Sequence, residues 1–343
     1  MSGCPVCGDL APHALRRIVR TPRLTVRRCQ RCGLHLADPV APLVGKAGDY
    51  YAALPLAEYI AYYEPLRRRV FAENWRWIVA RRPTGLALDV GASFGWFLQA
   101  APPGWQVRGL EPAAEVAALA RAAGLDVRPG GIEALATDPQ QYDLITFWNV
   151  FEHLPDPQGT LAIVRAHLRP GGLLALAVPN RQGVLNQLAY LAYFLSRGRI
   201  AGPLHTLFQV ENPAPHRFHY TAGDLQRLLA AAGFAVLAVV GQPIVDLRRL
   251  ALRAKLEPDG GGLASHPLGR ALLTLAVGAS WLLRLPDEIA LYAQLCTSPQ
   301  LAPSEAPATP GREESAGAFG ASGWMSASLL HQSATVAARC LTG

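Results

Sequence analysis

The stretch that most constrains the fold of this chain runs from Leu86 to Leu98 and reads LALDVGASFGWFL. A short apolar run ends in Asp89, glycines follow at Gly91 and Gly95, and an apolar segment with helical spacing comes next. Because glycine lacks a Cβ atom, it permits a sharp turn and lets a ligand lie against the main chain. The stretch predicts a strand, a tight loop and a helix. Taken alone, the loop fits an ordinary strand-to-helix turn as well as a cofactor-binding turn.

Beyond this loop, strand-like apolar runs alternate with helical segments, which is typical of an open, mainly parallel α/β sheet. Strands are predicted at 86–90, 106–110, 126–128, 143–147, 172–178, 235–240 and 289–294. Helices are predicted at 95–101, 112–123, 158–168 and 221–232, and a long amphipathic helix at 57–82 precedes the sheet. The predicted fold is α/β, with a Rossmann-like sheet of seven strands that binds its ligand at the strands' carboxyl ends.

Acidic residues follow two of the predicted strands. Glu111 ends the second strand, where a carboxylate can accept two hydrogen bonds from a ribose diol. The same acid could instead cap the helix that begins at Pro112. Glu152 and His153 follow the fourth strand and are candidates for acid–base chemistry, although His153 could equally serve only to fix the loop.

Four cysteines in the first 33 residues form two Cys-x-x-Cys-Gly units, at Cys4, Cys7, Cys29 and Cys32. Each unit can aim two thiolates at one point, so the pair predicts a tetrahedral four-thiolate zinc site. Disulfides are the alternative, but a chain of this class is expected in the reducing cytoplasm. A closed site of this kind leaves no open coordination position, so the zinc is expected to be structural.

Positive charge is concentrated in the N-terminal part of the chain. The net charge is +7, and residues 1–82 hold 14 lysines and arginines against 6 acidic residues. This asymmetry is compatible with an anionic partner such as nucleic acid, a nucleotide-linked substrate or a phospholipid surface, and equally with a solvated arginine-rich surface. The run Arg67-Arg68-Arg69 is expected to be a solvated helix face.

The ordered set of motifs resembles the class I S-adenosylmethionine-dependent methyltransferases, in particular the small-molecule methyltransferase 23 and type 11 groups. It consists of LDVGASFG, GLEP, EHLPDP, LRPGG and a late HRFHYT before a helix that ends in AGF, and it covers residues 84–296. The resemblance implies transfer of a methyl group from S-adenosylmethionine to a small-molecule, sugar, cell-surface or secondary-metabolite acceptor, at oxygen.

The resemblance also implies roles for individual residues. It places the cofactor against Asp89, Gly91, Ala92, Gly95, Glu111, Pro112, Asn149, Val150 and Phe151. The catalytic candidates are Glu152, His153 and His216, since histidine titrates near neutral pH. In ubiquinone-type relatives a further Glu joins the Glu-His pair near a metal. The matching position here is Asn149, which argues against a catalytic metal.

The expected organisation is a zinc ribbon at 1–45, a linker and helix at 46–83, a methyltransferase domain at 84–296 and a disordered tail at 297–343. Residues 34–56 have the composition of a linker. Lid insertions at 181–215 and 241–288 are expected to select the acceptor, and their apolar helices fit core packing or peripheral membrane contact. Neither a secretory leader nor a spanning segment is indicated, so a cytoplasmic protein is expected.

Two other functions are compatible with the sequence. The basic zinc ribbon could bind RNA phosphates, which would make the chain an RNA methyltransferase. Against this, no Asn/Asp-Pro-Pro-Tyr motif follows the fourth strand. The chain could also be a non-catalytic zinc-ribbon binding protein, although the retained acids Asp89 and Glu111 argue for a working cofactor site.

Overall fold

The structure is a computed structural model that describes residues 3–9, 14–39, 51, 54–210, 212–256 and 263–296. The strands are β1 (Leu15–Arg20), β2 (Leu24–Cys29), β3 (His35–Pro39), β4 (Gly85–Val90), β5 (Trp105–Glu111), β6 (Val127–Pro129), β7 (Tyr142–Trp148), β8 (Leu168–Pro179), β9 (Phe218–His219), β10 (Phe234–Gln242) and β11 (Glu288–Leu295). The α-helices are α1 (Leu56–Val79), α2 (Trp96–Gln99), α3 (Ala114–Ala122), α4 (Pro157–His167), α5 (Val184–Leu195), α6 (Gly202–Leu207), α7 (Ala222–Ala231), α8 (Leu250–Lys255) and α9 (Pro267–Leu282). The predicted disordered tail at 297–343 lies outside the described residues.

The large sheet has seven strands in the order β10-β11-β8-β7-β4-β5-β6. The five strands from β8 to β6 are parallel, and β11 runs antiparallel to both of its neighbours. The predicted Rossmann-like, mainly parallel sheet of seven strands is therefore confirmed. Most boundaries differ from the prediction by one to three residues, and that of β8 by four. β8 begins at Leu168 rather than at 172, and α2 ends at Gln99 because Pro102 and Pro103 follow closely.

The two faces of the large sheet are covered by different helices. Alternate strand residues such as Leu88 and Ile145 join a core with the apolar faces of α4 and α7. Their neighbours, such as Ala87 and Leu144, pack with aromatic side chains of α1. Among these, Trp75 stacks on Phe97 with ring centroids 4.5 Å apart. The large aromatic rings on α1 are thus buried by the small side chains that the strands present on this face.

A second sheet contains β1, β2, β3 and β9, all antiparallel, and carries the cysteine segment. The prediction of a linker from residue 34 was wrong for residues 35–39, which form β3 and pair with both β2 and β9. Leu34 and Leu36 are buried in the same core as Phe218. The cysteine segment therefore packs onto the rest of the chain, while the proposed boundary near residue 45 lies outside the described residues.

Both predicted insertions contain helices. Residues 181–215 include α5 and α6, and residues 241–288 include α8 and α9. The helices α5 and α9 contact each other, so the two insertions form one structural region. Within the described part of the chain, none of the helices combines the length and the apolar character needed to cross a membrane.

Candidate active site

The glycine loop between β4 and α2 lies in close contact with the segment that follows β7. Gly91 and Gly95 have φ angles of +75° and +74°, a region that favours glycine. A Cβ atom built at Gly91 would lie 2.3 Å from Val150 Cγ2. The amides of Gly91 and Ala92 donate hydrogen bonds to the Leu110 carbonyl at 2.7 and 2.9 Å. The loop is thereby fixed between the carboxyl ends of β5 and β7, with glycine required at its first position.

Asp89, the last acid of β4, is buried and joins that strand to β7. Its Oδ1 accepts a hydrogen bond from the Thr146 hydroxyl at 2.6 Å. Burial raises the pKa of Asp89 to about 8, although the Thr146 hydrogen bond opposes the shift. The side chain therefore sits beneath the glycine loop, where it supports the strand ends.

Glu111 ends β5 and connects the glycine loop to the start of α3. Its Oε2 accepts a hydrogen bond from the Ser93 amide and its Oε1 accepts one from the Ala113 amide, both at 2.9 Å. Burial raises the pKa of this carboxyl group. The acid does contact the start of the helix, as the capping alternative required. Because a carboxylate can accept about four hydrogen bonds, it retains capacity for a ribose diol.

The segment after β7 is shaped by Asn149, whose φ angle of +58° is uncommon for a residue other than glycine. Its Nδ2 donates a hydrogen bond to Glu288 Oε2 at 2.8 Å, while its Oδ1 is buried and finds no hydrogen-bond partner in the ranges that the structure describes. Phe151, two residues later, is fully buried. The peptide chain is thus held rigidly at the carboxyl end of β7, with one polar atom left unsatisfied.

Arg67 takes part in this arrangement, contrary to the expectation that the Arg67-Arg68-Arg69 run is solvated. Its Nη1 lies 3.2 Å from Oε1 of the fully buried Glu288. Arg68 and Arg69 are exposed, as expected. A sequence signal was available, because Arg67 stands four residues from both Tyr63 and Phe71 on the helix face that was expected to be buried.

Glu152, His153 and His216 come together at the carboxyl end of β7. Glu152 Oε1 lies 3.8 Å from His216 Nε2 and 4.0 Å from His153 Nε2. Glu152 is fully buried, and within the described part of the chain neither of its carboxylate oxygens has a hydrogen-bond partner. The Arg217 amide donates to the Glu152 carbonyl at 2.9 Å, which fixes the His216 segment against Glu152. The structure therefore brings all three predicted catalytic candidates into one cluster.

Burial dominates the electrostatics of this cluster. Burial, together with the nearby Glu288 carboxylate, raises the pKa of Glu152 to about 8. Burial lowers the pKa of His153 to about 4 and that of His216 well below its ordinary value. Near neutral pH both imidazoles are therefore neutral, and each has a ring nitrogen that can accept a proton. The three ligand atoms also lie within 4.8 Å of one another, a spacing that a metal ion could occupy.

His219 is a buried neighbour of this cluster that the sequence alone did not single out. Its ring stacks on Phe208 at a centroid distance of 3.7 Å, and its Nδ1 lies 3.1 Å from Asn186 Oδ1. Burial lowers the pKa of His219 to about 3. His219 is thus a neutral packing residue that links α5 to the strand following His216.

The four cysteines converge at one point on the smaller sheet, and all are free thiols. Cys4 Sγ lies 3.4 Å from Cys32 Sγ, and Cys7 Sγ lies 3.6 Å from Cys29 Sγ. Gly8 and Gly33 follow the two units with φ angles of +68° and +81°. In tetrahedral zinc sites with Zn–S bonds of about 2.3 Å, the sulfur atoms lie about 3.8 Å apart. The residues present fit such an ion.

The glycine loop, Glu111 and the Glu152 cluster all lie at the carboxyl edge of the parallel strands, where open α/β sheets bind their ligands. Fold and site together define a class I S-adenosylmethionine-dependent methyltransferase. Residues 60–239, just over half of the chain, match the profile of the family described as "Methyltransferase domain", and the chain belongs to this family. The match does not include the four cysteines.

Individual relatives match shorter stretches. The chain is 34% identical over 117 residues to a ubiquinone biosynthesis O-methyltransferase of Klebsiella pneumoniae, covering 31% of this chain and 48% of the relative. It is 36% identical over 132 residues to a protein of the same name from Xanthomonas campestris, covering 34% of this chain and 54% of the relative. The chain thus spans about half the length of the curated relatives it matches.

Solved structures resemble the chain more distantly. An S-adenosylmethionine-dependent methyltransferase of Thermotoga maritima has 15% identity and a TM-score of 0.43, over 72% of this chain and 99% of that chain. One from Archaeoglobus fulgidus has 16% identity and a TM-score of 0.44, over 69% and 99%.

Proposed function

We propose that this chain transfers the methyl group of S-adenosylmethionine to a hydroxyl oxygen of a small molecule, in a class that includes sugars and secondary metabolites. The observation that carries the proposal is the buried cluster of Glu152, His153 and His216 at the carboxyl end of β7. Oxygen as the acceptor atom is also supported by the O-methyltransferase names of the relatives. A hydroxyl acceptor must lose a proton, and the cluster offers groups that can take it.

We place S-adenosylmethionine beside the glycine loop, on two features of the residues there. The backbone at Gly91 approaches Val150 too closely for a side chain, and the buried Oδ1 of Asn149 lacks a hydrogen-bond partner among the residues that the structure describes. In the proposed complex the loop backbone, with Ala92 and Gly95, holds the methionine part, and Glu111 and Pro112 hold the ribose. Asn149, Val150 and Phe151 lie beside the sulfonium. When bound, S-adenosylmethionine supplies an electrophilic methyl group.

In the proposed reaction the acceptor oxygen forms a bond to the methyl carbon while the carbon–sulfur bond breaks. The hydroxyl proton passes to a ring nitrogen of His216 or His153. The Nδ1 atoms of both rings are buried and have no hydrogen-bond partner among the described residues, whereas their Nε2 atoms face Glu152. Glu152, which its raised pKa keeps mostly protonated near neutral pH, is placed to orient both imidazoles. The distances to Glu152 are long for hydrogen bonds, as is common before substrate binds.

We also propose that Cys4, Cys7, Cys29 and Cys32 hold one structural zinc ion. The support is the convergence of four free thiols and the glycine that follows each pair. Metal analysis of protein purified without chelators is expected to give one zinc per chain. Protein with intact cysteines that contains no zinc would contradict the assignment.

The methyltransferase proposal is tested with radiolabelled S-adenosylmethionine and three acceptor probes, namely catechol, a nucleotide-linked hexose and an RNA transcript. Transfer is expected to catechol or the hexose and to fall about 10²-fold to 10⁴-fold in His216→Asn or His153→Asn. The control is His266→Asn, which replaces an exposed histidine outside the Glu152 cluster. Binding of S-adenosylhomocysteine should be unchanged in all three variants. Transfer to RNA alone, or full activity of both site variants, would contradict the proposal.

Methylation of RNA is a second candidate that one observation favours. In the β1–β2 hairpin Arg16 lies opposite Arg28 and Arg17 lies opposite Arg27, and all four side chains are exposed. Like charges in directly opposed positions repel each other, so a bound polyanion would reduce the electrostatic repulsion within this hairpin. Salt-dependent RNA binding that is lost when these four arginines are replaced by glutamine would support this function. Binding that the replacement leaves unchanged would remove its basis.

A further inference from the structure

Helix α9 exposes an apolar face to solvent. Leu268, Leu272, Leu275 and Leu282 follow one another at helical spacing and are 72%, 51%, 69% and 85% exposed. The other exposed positions within this face are small or neutral, at Ala271, Thr274 and Gly278. The opposite face is also apolar and is buried. A surface helix of a soluble protein normally turns a polar face outward, so α9 departs from that pattern.

Helix α5 extends this surface. Leu188, Leu191, Phe194 and Leu195 are all exposed, and Leu195 is 76% exposed. The two helices contact each other, and Leu185 of α5 packs against the buried side of α9. We call these exposed faces of α5 and α9 the apolar two-helix surface. Exposed apolar faces on two contacting helices of a folded protein are typical of a binding site for a partner or a membrane.

The charged residues within these two helices and their adjoining turns have one sign. Residues 181–210 and 263–286 contain five arginines and no aspartate or glutamate. Three of the arginines, Arg197, Arg199 and Arg284, are exposed just beyond the C-terminal ends of α5 and α9. Leucine-rich faces beside exposed arginines match the acyl boundary and the phosphate groups of an anionic lipid layer.

We propose that the apolar two-helix surface docks on an anionic phospholipid bilayer, with the leucines in the acyl boundary and the arginines at the lipid phosphates. The helices α5 and α9 have 12 and 16 residues, fewer than the roughly 20 that a spanning helix needs. They therefore lie in the plane of the interface. The charge complementarity favours lipid over a second copy of this chain, whose identical surface would bring arginines together.

Docking would place the lipid against a helix that contacts the candidate active site. Asn186, on the buried side of α5, contacts His219, which stands three residues after His216. The hydroxyl oxygen of Tyr190, on the same helix, lies 2.8 Å from His35 Nδ1. The helix that exposes Leu188 and Leu191 to the membrane thus also supports the wall of the candidate active site.

The experiment is co-sedimentation of the full chain with vesicles of phosphatidylcholine alone or mixed with phosphatidylglycerol. Binding is expected to the mixed vesicles and to fall about tenfold in the double variant Leu272→Glu/Leu275→Glu. Arg197→Glu/Arg199→Glu is expected to abolish the preference for phosphatidylglycerol. The control is Leu119→Glu on α3, which removes an equally exposed leucine elsewhere and should bind as the wild type.

Each variant is also titrated with S-adenosylhomocysteine, which checks the fold independently of lipid binding and of methyl transfer. The proposal is overturned if the wild type does not bind mixed vesicles, or if Leu272→Glu/Leu275→Glu binds them unchanged. Light scattering in the absence of vesicles tests whether a second copy of the chain binds this surface instead. A dimer that the same double variant dissociates would assign the surface to a second copy of the chain instead.

Discussion

His35 of β3 lies directly opposite His219 of β9, and this pairing joins the cysteine-bearing sheet to the strand that follows His216. Next to it, the Ala37 amide donates a hydrogen bond to the Arg217 carbonyl at 2.8 Å. Two long-range contacts therefore hold the chain on the immediate C-terminal side of His216. The position of the His216 imidazole depends on a sheet whose other end is built around four cysteines.

Replacing a cysteine is therefore expected to affect the active site at a distance. Cys29→Ser should lose the proposed zinc, loosen β2, β3 and β9, and lower kcat, because His216 is no longer held against Glu152. Affinity for S-adenosylhomocysteine should change little, since the glycine loop belongs to the other sheet. Metal analysis, kcat and calorimetric titration measure these effects, and the exposed neighbour Gln30→Ser is the control. Full activity in metal-free Cys29→Ser protein would contradict the coupling.

Arg67 and Arg69 differ by two positions on α1 but should respond very differently to replacement. Arg67→Ala leaves the buried Glu288 carboxylate without its cationic partner, which is expected to cost about 3 to 5 kcal/mol of unfolding free energy. Arg69→Ala removes an exposed side chain and should change that free energy by no more than about 0.5 kcal/mol. Urea unfolding of both variants provides the comparison. Equal losses would mean that the Arg67–Glu288 pair is not a stabilising contact.

The large sheet could be predicted because its signals are local. Each strand is a short apolar run bounded by turn residues. The glycine loop can be recognised from the ten residues that follow Leu86. The positions of Glu111 and Glu152 follow from this, because acids that end parallel strands meet at one edge. The structure brings these predicted residues to that edge, with small differences in element boundaries.

The contacts that complete the site have no local signal. Arg67 and Glu288 are 221 positions apart, and nothing near either residue indicates the other. The strand at His35–Pro39 contains a proline and an aspartate, which disfavour strands, and it forms because β2 and β9 pair with it on either side. Tertiary pairing decided both cases. Residue spacing places Arg67 beside the aromatic residues of α1 but does not identify Glu288 as its partner, and at residues 35–39 the sequence alone predicted a linker.

The stability of the protein should depend on pH through Glu152. Burial raises its pKa from the ordinary value of 4.5 to about 8, so the folded state holds the proton more tightly than the unfolded state. This contribution to stability is complete below pH 4.5 and is lost as the pH rises through about 8. Glu152→Gln cannot ionise and should gain in melting temperature relative to the wild type between pH 5 and pH 9. The exposed Glu115→Gln is the control, and a pH-independent difference for Glu152→Gln would contradict the assignment.

Glu111 should determine cofactor affinity through the hydrogen bonds that it accepts from the Ser93 and Ala113 amides. In Glu111→Gln one carboxylate oxygen becomes an amide group, whose hydrogens point at the Ser93 or the Ala113 amide and repel it. The glycine loop then loses its anchor and the ribose loses one acceptor. The Kd for S-adenosylhomocysteine is expected to rise about tenfold or more by calorimetric titration. Glu115→Gln, an exposed acid in the first turn of α3, should bind as the wild type. If both variants bind equally well, the carboxylate only caps the helix and another group must hold the ribose.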